Sequence, residues 1–204
     1  MTVILTNLRN AVIAGFVLAA VVFLIYLTQA QFVSAVFWPF LVRWLHIMSG
    51  VMWIGLLWYF NFVQTPTMPK IPDELKGGVS RFIAPAALFW FRWAAMSTLI
   101  FGLLLAWNQS YLVQALSFGL VGEPLGPKPL FIGIGMWLAI IMWFNVWFVI
   151  WPNQQKALNI DNKFPDLAAD AKAKAARTAM LFSRTNTFLS VPMLVAMTGA
   201  QTLG

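Results

Sequence analysis

From Ala11 to Gln31 the chain carries no charged side chain. A run of about 20 apolar residues is the length of α-helix that crosses the roughly 30 Å hydrocarbon layer of a bilayer. In hydrocarbon every backbone N–H and C=O must be satisfied within the protein, which leaves helix as the only state open to such a run here. Runs of this kind recur at roughly 38–64, 85–108, 130–151 and 182–203. Charged residues make up 9% of the chain, against about 25% in a soluble domain, too few to cover a surface facing water. The expected fold class is therefore an all-α integral membrane protein, a bundle of about five transmembrane helices forming one domain over residues 1–204.

The connections set the orientation. Pro66, Pro69 and Pro72 are expected to end the second span and leave Thr65 to Ala84 as a polar loop. Tyr111 to Leu120 reads as a short interfacial helix before the turn-forming Gly122, Pro124, Gly126, Pro127 and Pro129. Pro152 is expected to stop the fourth span. A water-soluble segment at 152–181 follows, with a surface helix from Pro165 onward rich in alanine, aspartate and lysine. The fifth span, interrupted by Arg184, Asn186 and Pro192, is expected to pack inside the bundle. Five spans place Arg9, Lys70, Lys76, Arg81, Lys156, Lys163, Lys172, Lys174 and Arg177 on one side, and only Arg43 and Lys128 on the other. By the positive-inside bias the N-terminus and the 152–181 segment are cytoplasmic. The net charge of +7 reports this loop asymmetry and does not mark a nucleic-acid-binding face.

Chemistry-bearing residues are few. The chain has no cysteine, which excludes disulfides, iron–sulfur clusters, thiolate metal sites and covalently attached haem. Its single histidine, His46, shares a helix face with Gly50, Trp53, Leu57 and Asn61. One reading makes His46 an axial ligand to the iron of haem b with Arg43 beside a propionate. The other makes it a hydrogen-bonding group between helices. With one histidine, a bis-histidine haem cannot form within one copy of the chain. A second set, Asn61, Arg92, Asn145, Arg184 and Asn186, is expected at a similar depth near the cytoplasmic face. Two arginines with amides suit an anion. The same residues also serve as helix locks and snorkelling cations. Gly133 and Gly135 read as helix-packing glycines.

Three stretches carry a family likeness: RWLHIMSGVMWIGLLWYFNFVQTP (Arg43 to Pro66), IWPNQQKAL (Ile150 to Leu158) and SRTNTFLSVPML (Ser183 to Leu194). In residue types, order and spacing they resemble the membrane domain of the bacterial membrane-bound urate oxidase (urate hydroxylase) family. The resemblance implies a helical membrane domain in the bacterial inner membrane. Complete members carry a following cytochrome c domain, and urate oxidation is coupled to electron transfer. His46, Asn61, Trp151, Asn153, Arg184 and Asn186 match the motif positions. The sequence ends at Gly204 with no cytochrome c domain. The leading expectation is thus an accessory or structural subunit of a larger respiratory or photosynthetic electron-transfer complex. Its partners would be the lipid bilayer, other membrane subunits, and a separate cytochrome c or pigments. The alternatives are a haem-binding electron-transfer subunit using His46, and an oxidoreductase acting on urate that passes electrons to a separate cytochrome c.

Overall fold

The computed structural model describes residues 2–29, 34–122 and 127–202, and among these every regular element is helical. After a short turn at Thr2–Leu5, α1 spans Leu8–Gln29. The rod α2 covers 34–70, α3 Asp73–Asn108, α4 Leu112–Leu116, α5 Lys128–Leu158 and α6 Ala169–Thr202. Four helices (Leu8–Thr28, Phe37–Lys70, Asp73–Asn108 and Lys128–Leu158) are long and apolar enough to cross a membrane. The expected boundaries at Gln31, at Pro124 to Gly126 and at Leu203 lie outside the described residues.

The chain divides into two compact units, Met1–Leu41 and Val42–Gly204. In the first, Phe23 stacks on Phe40 with ring centroids 5.2 Å apart, and Tyr26 stacks on the same ring at 5.3 Å. The rest of α1 is largely uncovered, with Leu8, Leu18 and Val22 each at least 66% exposed. In the second unit the core is built from α2, α3, α5 and α6, around the fully buried Trp53, Leu57, Phe91, Ala95, Met142 and Ala179.

Three corrections concern the ends of these rods, and two share a cause. The expected loop at 65–84 is helical almost throughout, broken only where Ile71 turns to extended backbone (φ −82°, ψ 132°) before Pro72. Pro152, expected to stop the fourth span, lies inside α5, which runs on to Leu158. A proline in a helix lacks an N–H and drives its ring against the carbonyl four residues back. In this chain π-helical turns occupy Tyr59–Gln64, Val79–Ile83 and Asn145–Ile150. Each is followed, two residues beyond its end, by a proline: Pro66, Pro85 and Pro152. The carbonyls that these rings would meet, on Phe62, Arg81 and Phe148, all belong to the wider turns. There the i→i+5 pattern re-routes hydrogen bonding and opens space. The proline is absorbed and the rod continues.

The third correction joins two elements. The expected surface helix from Pro165 and the fifth span form one continuous helix of 34 residues, about 51 Å long. Pro165 itself precedes it. Buried residues Ala175, Ala179, Asn186, Ser190, Met193, Ala196 and Ala200 form a single stripe along α6. The four alanines and the serine among them let its backbone approach α5 closely. The opposite face is not enclosed: Phe188 is 76% exposed and Val195 62%. Only one side of this helix therefore packs inside the bundle.

The short helix expected near Tyr111 is present as α4, Leu112–Leu116, seated on α5. A Cβ on Gly133 would overlap the Ala115 carbonyl oxygen, and Trp137 donates its indole N–H to the Leu116 carbonyl at 3.0 Å. Gly133 is thus the packing glycine expected from sequence. Gly133→Val should dislodge α4 while leaving the long helices intact. Hydrogen exchange should show amides 112–116 losing protection, with helical circular dichroism lowered only slightly.

Candidate functional site

The polar residues singled out from sequence sort into three environments. In the first, α6 presents Ser183, Asn186 and Ser190 at i, i+3 and i+7, one face of a helix. Asn61 donates from Nδ2 to Ser183 Oγ at 2.8 Å and to its own helix's Leu57 carbonyl at 2.9 Å. Asn145 donates to Asn186 Oδ1 at 2.8 Å, and Asn186 donates in turn to the Met142 carbonyl at 2.9 Å. Trp58 donates to Ser190 Oγ at 3.0 Å, and that hydroxyl donates to the Thr187 carbonyl at 2.7 Å. Asn186 and Ser190 are fully buried. Asn61 and Asn145 stand within the π-helical turns, where altered backbone pairing leaves carbonyls with spare acceptor capacity. The amides therefore clamp α2 and α5 onto α6. Ser183, Ser190 and Trp58 are not among the residues expected from sequence; the serine–asparagine–serine spacing on one helix face is the signal that points to them.

In the second environment the two arginines have different surroundings. The Arg92 guanidinium lies 3.8 Å from the Trp151 ring centroid and 5.1 Å from that of Trp147. Trp93, 5.8 Å from the guanidinium, meets Trp147 edge-on at 5.4 Å. Cation–π attraction of this kind strengthens as water is removed. The Nε atom of Arg92 and the indole nitrogen of Trp147 are buried with no hydrogen-bond partner on the chain. Arg184, by contrast, is exposed and lines an open groove of about 630 Å³ with Asn61, Phe62, Thr187, Phe188 and Pro192. Of the expected anion set, the groove unites Arg184 with Asn61, the clamps hold Asn145 and Asn186, and Arg92 stacks on tryptophan. Nothing in the sequence spacing marks Trp151 as the platform for Arg92.

The third environment surrounds His46. Its Nδ1 lies 2.9 Å from the Thr98 carbonyl oxygen. A carbonyl only accepts, so Nδ1 carries the proton and Nε2 keeps its lone pair. The ring lies over Gly102, where a Cβ would come within 2.9 Å of Cε1. Gly50, one turn on from His46, faces Thr98 across an ordinary van der Waals gap and so serves helix packing. The cavity bordering the ring has a volume of about 30 Å³. Cofactor-sized ligands take pockets of roughly 300 Å³ or more, so these residues do not accommodate a haem macrocycle. Arg43 is exposed and donates to Gln109 Oε1 at 3.3 Å. Its charge also acts on Tyr111, whose phenol is pushed up chiefly by burial, with Arg43 partly opposing the shift. Among the described residues no three His, Cys, Asp or Glu side chains gather in a metal-binding group.

No curated protein and no solved structure matches this chain. One family model does, and its match takes in α4, α5 and most of α6, with Trp151, Asn153, Arg184 and Asn186 all inside it. Residues 112–201 are similar to the family model described as urate oxidase N-terminal.

Proposed function

We propose that the protein is a multi-pass inner-membrane subunit, a helical scaffold that holds partner subunits of an electron-transfer assembly. One observation carries this reading: the amides of Asn61, Asn145 and Asn186 join helices. Asn61 donates to Ser183 and the Leu57 carbonyl, Asn145 to Asn186, and Asn186 to the Met142 carbonyl, so each amide takes part in architecture. The apolar faces agree with it. Between Phe37 and Lys70 only 17% of the most apolar window is buried within the chain, and between Leu8 and Thr28 none is. Such faces suit lipid on some sides and partner helices or flat pigments on others, with tryptophan and phenylalanine rings as packing surfaces. In this reading the assembly is respiratory or photosynthetic, and the urate oxidase likeness records shared architecture.

Mild detergent extraction from native membranes is expected to bring the protein out with further membrane subunits. Subunit identification by mass spectrometry reads this directly, and a partner-free, monodisperse species would overturn the proposal. The clamps carry their own prediction. Asn186→Leu should destabilise the helical unit by about 1 kcal/mol or more, because Asn145 loses its acceptor and the Met142 carbonyl its side-chain donor. The double change Asn145→Leu with Asn186→Leu should be less damaging than the sum of the singles, as measured in a detergent-denaturation titration.

The groove at Arg184 favours a second reading, oxidation of urate with electrons passed to a separate cytochrome c. The Arg184 guanidinium and the Phe62 and Phe188 rings along one groove form a set suited to a flat purine anion. On this reading urate binds with Arg184 as its charge partner. Arg184→Ala is expected to abolish binding in an equilibrium assay, while Arg92→Ala leaves affinity within about threefold, since Arg92 is engaged by tryptophan faces. Equal urate affinity in the parent and Arg184→Ala proteins would dismiss this site.

A further inference from the structure

The cavity beside His46 is small, but its wall is chemically unusual. It lies among α2, α3, α5 and α6 and is bordered by His46, Trp53, Gly102, Met136 and Met197. The proton on Nδ1, held by the Thr98 carbonyl, leaves Nε2 as the ring's available donor of an electron pair. A backbone carbonyl gripping the far nitrogen of an imidazole is the usual way a ligating histidine is oriented. Met136 and Met197, from two other helices, border the same small space. Gly135 makes room for one of them, since a Cβ there would lie 3.1 Å from Met197 Sδ. Trp53, 1% exposed, also lines the cavity, and its indole N–H finds no partner on the chain.

We propose that this cavity is a binding site for a single monovalent soft metal ion, Cu(I), ligated by His46 Nε2 and the sulfurs of Met136 and Met197. Size and donor chemistry both select this guest. The volume of about 30 Å³ holds one water-sized body, since about 10–15 Å³ is the least such a body needs. Two thioethers and an imidazole are soft or borderline donors, the set that favours Cu(I) over oxygen-seeking cations such as Mg²⁺ or Ca²⁺. All three donors are neutral, so the site gains one positive charge, less costly in an apolar interior than the two of a divalent ion. Methionine side chains turn easily about their three torsions, so both sulfurs can close on an ion without backbone movement. This site is independent of the scaffold and urate readings.

The test is anaerobic Cu(I) titration of the full chain in detergent against the chromophoric chelator bicinchoninate, with X-ray absorption on the loaded protein. One equivalent of Cu(I) is expected to be withdrawn from the chelator, with mixed nitrogen and sulfur scatterers around the metal. Met136→Leu and Met197→Leu preserve side-chain volume and remove only the sulfur, so folding is expected to be unchanged in a thermal melt. Each should weaken Cu(I) binding by about 100-fold or more, given that second-shell changes alone cost 10–100-fold. No withdrawal of Cu(I) by the parent protein, an internal water as the sole occupant, or undiminished binding in the double leucine variant would each overturn the assignment.

Discussion

An amide placed in an apolar helix is costly to leave unpaired, and three that find partners on or across neighbouring helices organise this molecule. An unpaired amide in such surroundings costs on the order of several kcal/mol, more than a single helix–helix hydrogen bond returns. Asn61, Asn145 and Asn186 therefore act as position markers within the apolar rods. Asn186 sits opposite Asn145, and Asn61 opposite Ser183, because few other registers of α2, α5 and α6 would satisfy all of them. Hydrophobic packing around Trp53, Leu57 and Met142 fills the space between, but it is less selective of register. A sliding helix can exchange one apolar neighbour for another; it cannot leave an amide unmatched.

The π-helical turns belong to the same logic. Each turn precedes a proline and two of them carry an asparagine, so the places where backbone pairing is disturbed are also the places where side chains reach across. Widening the turn relieves the proline ring and frees carbonyl acceptor capacity, and asparagine supplies donors to use it. Asn61 reaches the Leu57 carbonyl and Asn153 the Val149 carbonyl, each four residues back along its own helix. The long rods thus continue through sequence that would ordinarily end a helix.

Much of this architecture is legible in the order of the amino acids. Four of the five expected apolar spans, the short helix after Tyr111 and the packing role of Gly133 follow from composition, run length and glycine placement. The grouping of polar residues on α2, α5 and α6 is legible as well, because depth along a helix follows from residue number. Which polar residue pairs with which is not, since that depends on rotation about helix axes. Arg92 and Arg184 are equivalent by type and depth. Stacking on Trp151 commits the first, while the second faces a groove. Helix ends depart from expectation at Pro66 and Pro152 because a proline reads as a stop unless the turn before it is known to widen.

The sequence by itself determined that the chain is helical and apolar enough to cross a membrane, because backbone polar groups in hydrocarbon leave no alternative to internal pairing. It also carries the similarity of residues 112–201 to the urate oxidase N-terminal family model. The tertiary structure alone decided what surrounds His46. Proximity to Thr98, Gly102, Met136 and Met197 joins residues 46, 98, 102, 136 and 197, and no local pattern encodes a meeting of four helices. Residue spacing sets which face of a helix a side chain occupies, and only packing sets what that face meets.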